Sequence, residues 1–143
     1  MQRVLRAEVR VEGERVGAIE RGLLVLLGVA AGDTDASARE LARKISKLRI
    51  FPSERRPIDA SVLDVGGAVL VVSQFTLCAD TRKGNRPSFL DAAEPAEAER
   101  LYELFCDEMR AAGVPLETGR FAAMMEVELV NDGPVTIALE YPL

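Results

Sequence analysis

Two short stretches hold the side chains best suited to chemistry. In Ser73-Gln74-Phe75-Thr76-Leu77, two hydroxyls and an amide follow directly on an apolar run at 68–72. The end of a buried strand is where a rigid sheet can present such groups, and backbone N–H groups, to a ligand. Ser73 or Thr76 could attack an acyl group only with a neighbouring base. Gln74 takes up no proton, but it could orient a substrate while adjacent N–H groups hold a developing oxyanion. The alternative is a strand that turns polar as it reaches the surface. In Asn131-Asp132-Gly133-Pro134-Val135-Thr136, Asp-Gly between apolar segments is an ordinary hairpin signal. The proline opens another reading, because only an X–Pro bond adopts cis at a cost of roughly 0.5–1 kcal/mol. A cis Gly133-Pro134 would turn two carbonyls to one side, where they could bind an ammonium group.

Composition limits what these groups can do. The chain has no histidine. That excludes Ser-His-Asp and Cys-His pairs, an HExxH zinc site and imidazole as a base near neutral pH. Proton transfers would fall to carboxylates, amines, backbone dipoles or the substrate. Cys78 and Cys106 stand far apart, so neither a CxxC redox pair nor a cysteine zinc cluster is available, and both read as reduced, small apolar side chains. Asp33, Asp35, Asp59 and Asp64 show no EF-hand spacing. Neither metal nor cofactor is expected.

Eighteen basic residues against 23 acidic ones give a net charge of −5, which argues against coating a nucleic-acid duplex, and no DNA partner is expected. A local patch remains open. Arg82, Lys83 and Arg86, with Gly84 for close approach, suit a phosphate backbone, though a solvated loop has the same composition. Phe121, Met124 and Met125 could pack on a base or simply on the core. The apolar stretch 22–31 is shorter than the about 20 residues a bilayer span needs, and the N-terminus has no apolar signal core. A soluble, cytoplasmic protein with no membrane partner is expected.

The elements that must position these groups read as follows. Val9 and Val11 alternate with Glu8, Arg10 and Glu12 in a half-buried strand, and Glu12-Gly13-Glu14 turns into a returning strand at 16–19. Leu23-Leu24-Val25-Leu26-Leu27 is strand-length and apolar throughout, as in a strand buried on both faces. Asp33 or Thr34 caps a helix to about Leu48, with Ala38, Leu41, Ile45 and Leu48 on its apolar stripe. Residues 51–60, with two prolines and four charges, read as an exposed loop, and Gly66-Gly67 precedes the strand at 68–72. Residues 79–89 form a second loop. Pro95 starts another helix with core residues Leu101, Leu104, Phe105 and Met109, stopped by Gly113 and Pro115. Strands at 127–130 and 135–139 close the chain. The sum is one α+β domain over 1–143: largely antiparallel sheets in a barrel-like or sandwich arrangement, with two main helices on one face.

Together the motifs resemble one family. Ser-Gln-Phe-Thr-Leu at 73–77 and Asn-Asp-Gly-Pro-Val-Thr at 131–136 match the two signatures of the D-aminoacyl-tRNA deacylases (the D-tyrosyl-tRNA deacylase family). The resemblance extends through Gly22–Val29, Lys47–Phe51, Leu63–Gly67, Asp80–Gly84, Arg86–Phe89 and Glu117–Phe121. It implies the deacylase fold and hydrolysis of the ester joining a D-amino acid, or glycine mischarged on alanine tRNA, to the terminal ribose of tRNA. It implies a cytoplasmic homodimer with active sites at the interface. Ser73, Gln74 and Thr76 would then line the reaction centre beside Phe75. Gly133 and Pro134, a cis pair, would enter the partner's site, engage the α-ammonium and reject L side chains. Arg3 would brace that loop, Phe121 and Met125 would hold the terminal adenine, and Arg82, Lys83 and Arg86 would hold the tRNA end. An aminoacyl ester is already activated and its ribose 2′-hydroxyl can assist, so a protein without a histidine base suffices; Thr76 as nucleophile ranks below substrate-assisted attack by water.

Three departures stand out. The family usually carries more residues ahead of Gln2-Arg3-Val4, so a shortened first strand is expected; Ile58-Asp59-Ala60-Ser61 replaces a Met-Asn-containing loop; and Met124 stands where a polar residue is commoner. Two rivals complete the field. One is a Ser/Thr esterase using Ser73 or Thr76 with Asp80 or Asp132. The other is a noncatalytic RNA-binding dimer.

Overall fold

The computed structural model describes residues 1–143. Its elements are β1 (Gln2–Val11), β2 (Glu14–Ile19), β3 (Gly22–Leu27), α1 (Asp35–Lys47), β4 (Ala68–Ser73), a 3-10 turn (Phe75–Cys78), α2 (Pro95–Ala111), β5 (Leu116–Thr118) and β6 (Glu126–Thr136). The first hairpin forms where Glu12 and Gly13 take φ of 51° and 79°, the left-handed pair that a tight turn needs. α1 begins where the Ser37 hydroxyl accepts from the Thr34 N–H at 3.0 Å. α2 opens on Pro95, whose missing N–H costs nothing in the first turn, and Gly113 leaves it at φ 88°.

β1 is the spine of the sheet. β6 lies antiparallel along one edge of it, while β2 and β3 share the other edge, also antiparallel. Beyond β3 the sheet becomes parallel, β3 to β4 and β4 to β5. Helical crossovers explain the change: α1 lies between β3 and β4 in the chain, and α2 between β4 and β5, so each following strand starts again from the same end. The sheet is therefore mixed, and it curls into a nearly closed barrel.

Two cores follow from the alternation of β3 and β4. Leu23, Val25, Leu27, Val69 and Val71 pack under α1 and α2 with Ile45, Phe105 and Met109. Leu24, Leu70 and Val72 point the opposite way, into the curl, against Val4, Ala7, Val9 and Ile19. Both faces are dry, so both strands read as unbroken apolar runs. The curl closes where β2 crosses β5. A β-carbon on Gly17 would stand 2.3 Å from the Thr118 carbonyl oxygen.

Three sequence expectations change. The segments 127–130 and 135–139 are not two strands joined by a hairpin: β6 runs from Glu126 to Thr136 as one strand, paired with β1 over 126–131 and again at Thr136. Asn131 pairs Val4 and Thr136 pairs Gln2, so the residues between them bulge out of a ladder that resumes beyond them. Phe51 is no exposed loop residue. It is fully buried, pinned by a bridge to Ala60, and caps the helix-side core. β5 has three residues, too few for any alternation to announce it. β1 itself spans ten residues, and the Met1 ammonium and carbonyl pair with Ile137.

Gly17→Ala forces backbone apart at the β2–β5 crossing. It is expected to lower unfolding free energy by about 1–3 kcal/mol, read as a shifted urea midpoint with an unchanged slope.

Candidate active site

Ser73 ends β4 opposite Leu27, and the chain then leaves the sheet. The Gln74 N–H donates to the Leu27 carbonyl at 2.8 Å, fixing the departure, and Phe75–Cys78 winds into the 3-10 turn. That turn lifts Phe75, Thr76 and Leu77 to the surface, the two apolar side chains 58% and 60% exposed. The Thr76 hydroxyl accepts a hydrogen bond from the Gln74 side-chain amide. Ser73 and Gln74 are half-buried beside it.

The supports of this corner come from α2 and the segment after β5. Tyr102 of α2 donates its hydroxyl to the Val71 carbonyl at 2.9 Å, and burial pushes that phenol well above its ordinary pKa. Phe121 leans on Tyr102, ring centroids 5.8 Å apart. Met125 packs over Gly119, whose missing side chain makes room for its sulfur: a β-carbon there would stand 2.7 Å from Sδ. The Gly119 N–H in turn donates to Val71. Phe121 and Met125 are thus tied to the strand that ends at Ser73, whereas Met124 is 91% exposed.

The basic loop adjoins the same corner. Phe75 meets Phe89 edge-on at 5.0 Å, and paired hydrogen bonds between Asp80 and Ser88 pinch the loop at its base. Arg82 is not a free cation: it grips the Asp80 carboxylate with two nitrogens at 2.8 and 2.7 Å. That contact holds the Asp80 pKa below, and the Arg82 pKa above, its ordinary value. Lys83 and Arg86 are exposed and make no ion pair.

The second motif is built differently. Asn131 closes the bulge of β6: its side-chain carbonyl accepts from the Val135 N–H at 2.7 Å, and its amide donates to the Val135 carbonyl and the Thr136 hydroxyl. Asp132 is drawn inward. Arg3, only 8% exposed, donates from Nε to the Asp132 carbonyl at 3.0 Å and from Nη1 to the Ile50 carbonyl at 2.7 Å. Its Nε also lies 3.4 Å from the Asp132 carboxylate. Gly133 and Pro134 are left exposed at the crest, joined by a cis peptide. Gly133 sits at φ 142°, where a β-carbon would lie 2.8 Å from the Val135 side chain and 3.3 Å from Arg3.

Within one chain the two motifs approach only at their ends, Leu77 and Thr136, which line one cleft. From β6 through β1 and β3 to β4 is three strand steps, roughly 14 Å across the sheet. No hydrogen bond or ion pair joins residues 73–76 to 131–136. Nor does any carboxylate serve the hydroxyls, since Asp80 is engaged by Arg82 and Asp132 by Arg3. Sequence reasoning missed Tyr102, the Ile50 carbonyl and the closing role of Asn131. Only Asn131 left a trace, as an amide four residues ahead of the N–H it accepts.

Residues 1–140 match the family model described as D-Tyr-tRNA(Tyr) deacylase. A D-aminoacyl-tRNA deacylase of Ruegeria pomeroyi is 59% identical over 140 residues, covering 98% of this chain and 97% of the relative. One from Koribacter versatilis is 61% identical, covering 98% and 94%. Among solved structures, a chain described as c-Myc DNA Unwinding Element Binding Protein matches with a TM-score of 0.91 at 42% identity, covering 99% of this chain and 97% of that one. Another, described as a probable eukaryotic D-amino acid tRNA deacylase, has a TM-score of 0.77 at 20% identity over 93% and 92% of the two chains, a likeness of fold.

Arg3→Ala strips the donor from two carbonyls and is expected to cost about 2–3 kcal/mol of unfolding free energy in urea titration, with Arg3→Lys restoring only part because an ammonium cannot fork. The thiols should differ as well. Burial pushes Cys106 up to about 11, and Cys78 is raised less, so at pH 8 an alkylating reagent should modify Cys78 slowly and Cys106 only after denaturation, as read by mass spectrometry.

Proposed function

The chain belongs to the D-Tyr-tRNA(Tyr) deacylase family, a family of aminoacyl-tRNA hydrolases, and from that premise we propose how its residues cleave the D ester and spare the L ester. Water adds to the ester carbonyl between the amino acid and the terminal ribose. The neighbouring ribose 2′-hydroxyl assists, and the bond to the ribose oxygen breaks to give free amino acid and tRNA. Ser73, Gln74 and Thr76 position the ester and stabilise the developing oxyanion.

The observation that carries this reading is the partner of Thr76. Its hydroxyl is hydrogen-bonded by the Gln74 amide, a group that cannot take up its proton. A corner built this way suits positioning, and the proton relay falls to substrate and water. The same observation tells against the Ser/Thr esterase, which needs a base on that hydroxyl.

Selection falls to Gly133 and Pro134. Their carbonyls take the substrate α-ammonium, and their backbone fills the space an L side chain would need, so rejection is steric. Glycine has no side chain to exclude, so glycine mischarged on alanine tRNA passes the same filter. The three-strand separation of the motifs supports a homodimer in which each crest enters the partner's reaction centre. Exposed Phe75 and Leu77 supply apolar surface for such an interface. Phe121 and Met125 take the terminal adenine, and Lys83 and Arg86, with Arg82 shaping the loop, hold the adjoining phosphates in the cytoplasm, where charged tRNA is used.

The test compares purified protein on D- and L-aminoacyl-tRNA. The D ester should be lost at least a hundredfold faster. Thr76→Ala should slow this by less than about tenfold, while tRNA ending in 2′-deoxyadenosine should slow it by about a hundredfold or more. Equal cleavage of both stereoisomers would sink the chiral reading, and an acyl-enzyme trapped on Thr76 would reinstate the esterase.

A further inference from the structure

We infer that the end of α1 and the loop after it form a second tRNA-binding surface, one that takes phosphates of the acceptor arm. The inference rests on tRNA being the substrate and adds a surface beyond the loop at 82–86. Residues 43–56 hold six cations, Arg43, Lys44, Lys47, Arg49, Arg55 and Arg56, against a single carboxylate, Glu54. The other 129 residues hold twelve cations against twenty-two carboxylates. A local charge of +5 thus stands against −10 elsewhere.

The six side chains are all exposed, and four of them, Arg43, Lys44, Lys47 and Arg49, line one shallow depression. Arg43 and Arg49 are paired, to Glu40 and Asp59. Lys44, Lys47, Arg55 and Arg56 make no ion pair, so their charge is free for a polyanion. Cations in a last helical turn complement the helix dipole, which would account for Lys44 and Lys47. It does not account for Arg55 and Arg56. Those two are held by a folded loop: Ser53 Oγ donates to Asp59 at 2.7 Å and accepts from the N–H groups of Arg55 and Arg56 at 3.0 and 3.3 Å. Arg49 fastens that loop to the helix exit through Asp59.

Position points to RNA. Ile50, next to Arg49, gives its carbonyl to the same guanidinium of Arg3 that holds Asp132, so the basic segment abuts the bulge bearing Gly133 and Pro134. If that crest serves the partner's reaction centre, the tRNA reacting there lies beside this protomer's cations. Residues 91–108, by contrast, carry seven carboxylates and one cation, Arg100. A polyanion is steered away from α2 and toward the α1 exit.

The experiment replaces Lys44, Lys47, Arg55 and Arg56 together by Gln and measures D-ester cleavage on two substrates, full-length D-aminoacyl-tRNA and D-aminoacyl-adenosine, which has no phosphate. On tRNA we expect KM to rise at least tenfold with kcat within twofold, and the slope of log KM against log salt to become shallower by about 2–3, as loss of up to four phosphate contacts requires. On the adenosine ester KM should move by less than twofold. Arg15→Gln with Arg110→Gln, two cations removed elsewhere, should leave KM for tRNA within twofold. An unchanged KM for tRNA, or an equal change on both substrates, overturns the surface. Wild-type protein that leaves the D ester intact on both substrates overturns the underlying function, and this inference with it.

Discussion

An arginine that is only 8% exposed must spend its donors largely on protein acceptors, because little water reaches it to compensate. Arg3 does so by drawing three segments to one point: its own strand β1, the Ile50 carbonyl after α1, and the Asp132 carbonyl in the bulge of β6. Remove it, and the bulge loses its inward tie while two carbonyls lose a charged donor. The exposure of Gly133 and Pro134 follows from that tie. With Asp132 held in and Asn131 bonded across to Val135, the two residues between them have only one way to go, outward.

The corner proposed for the reaction is held by a different means, dry packing. β3 and β4 bury both faces, so Ser73 emerges from the stiffest part of the molecule. Tyr102 and Gly119 both bond to Val71, two residues earlier, and carry Phe121 and Met125 with them. A hydrolase without a histidine base gains from such rigidity. In the proposed mechanism the rate comes from orientation and fixed dipoles, and both would be lost if the strand end moved by a fraction of an ångström. The curled half of the sheet adds to this through Gly17, where two backbones approach too closely for any side chain.

Electrostatics divides the surface in a way that net charge conceals. The acidic excess lies along α2 and its approach, while free cations gather at the α1 exit and the tip of the loop at 82–86. An enzyme that acts on the end of a large polyanion gains from such an arrangement. Repulsion over most of its surface would limit misplaced binding, and attraction at the two proposed contact places would set orientation.

Much was legible in local pattern. The first hairpin, the doubly buried β3 and β4, the start of α1 at Thr34 and of α2 at Pro95, and the stop at Gly113 follow from periodicity, turn chemistry and capping, which act over a few residues. Both signature motifs were legible as well, and with them the family. What sequence could not decide was everything set by partners distant along the chain. Asn-Asp-Gly-Pro carries a hairpin's composition, and only β1, paired on both sides of it, makes it a bulge. Phe51 lies in a charged, proline-rich stretch and is buried only because the bridge to Ala60 folds it under. Sequence alone determined which groups are available for chemistry and, by the absence of histidine, which chemistry they must do without. Tertiary structure decided which of them meet: burial and strand pairing are properties of segments more than a hundred residues apart, such as Arg3 and Asp132, and no local spacing encodes them.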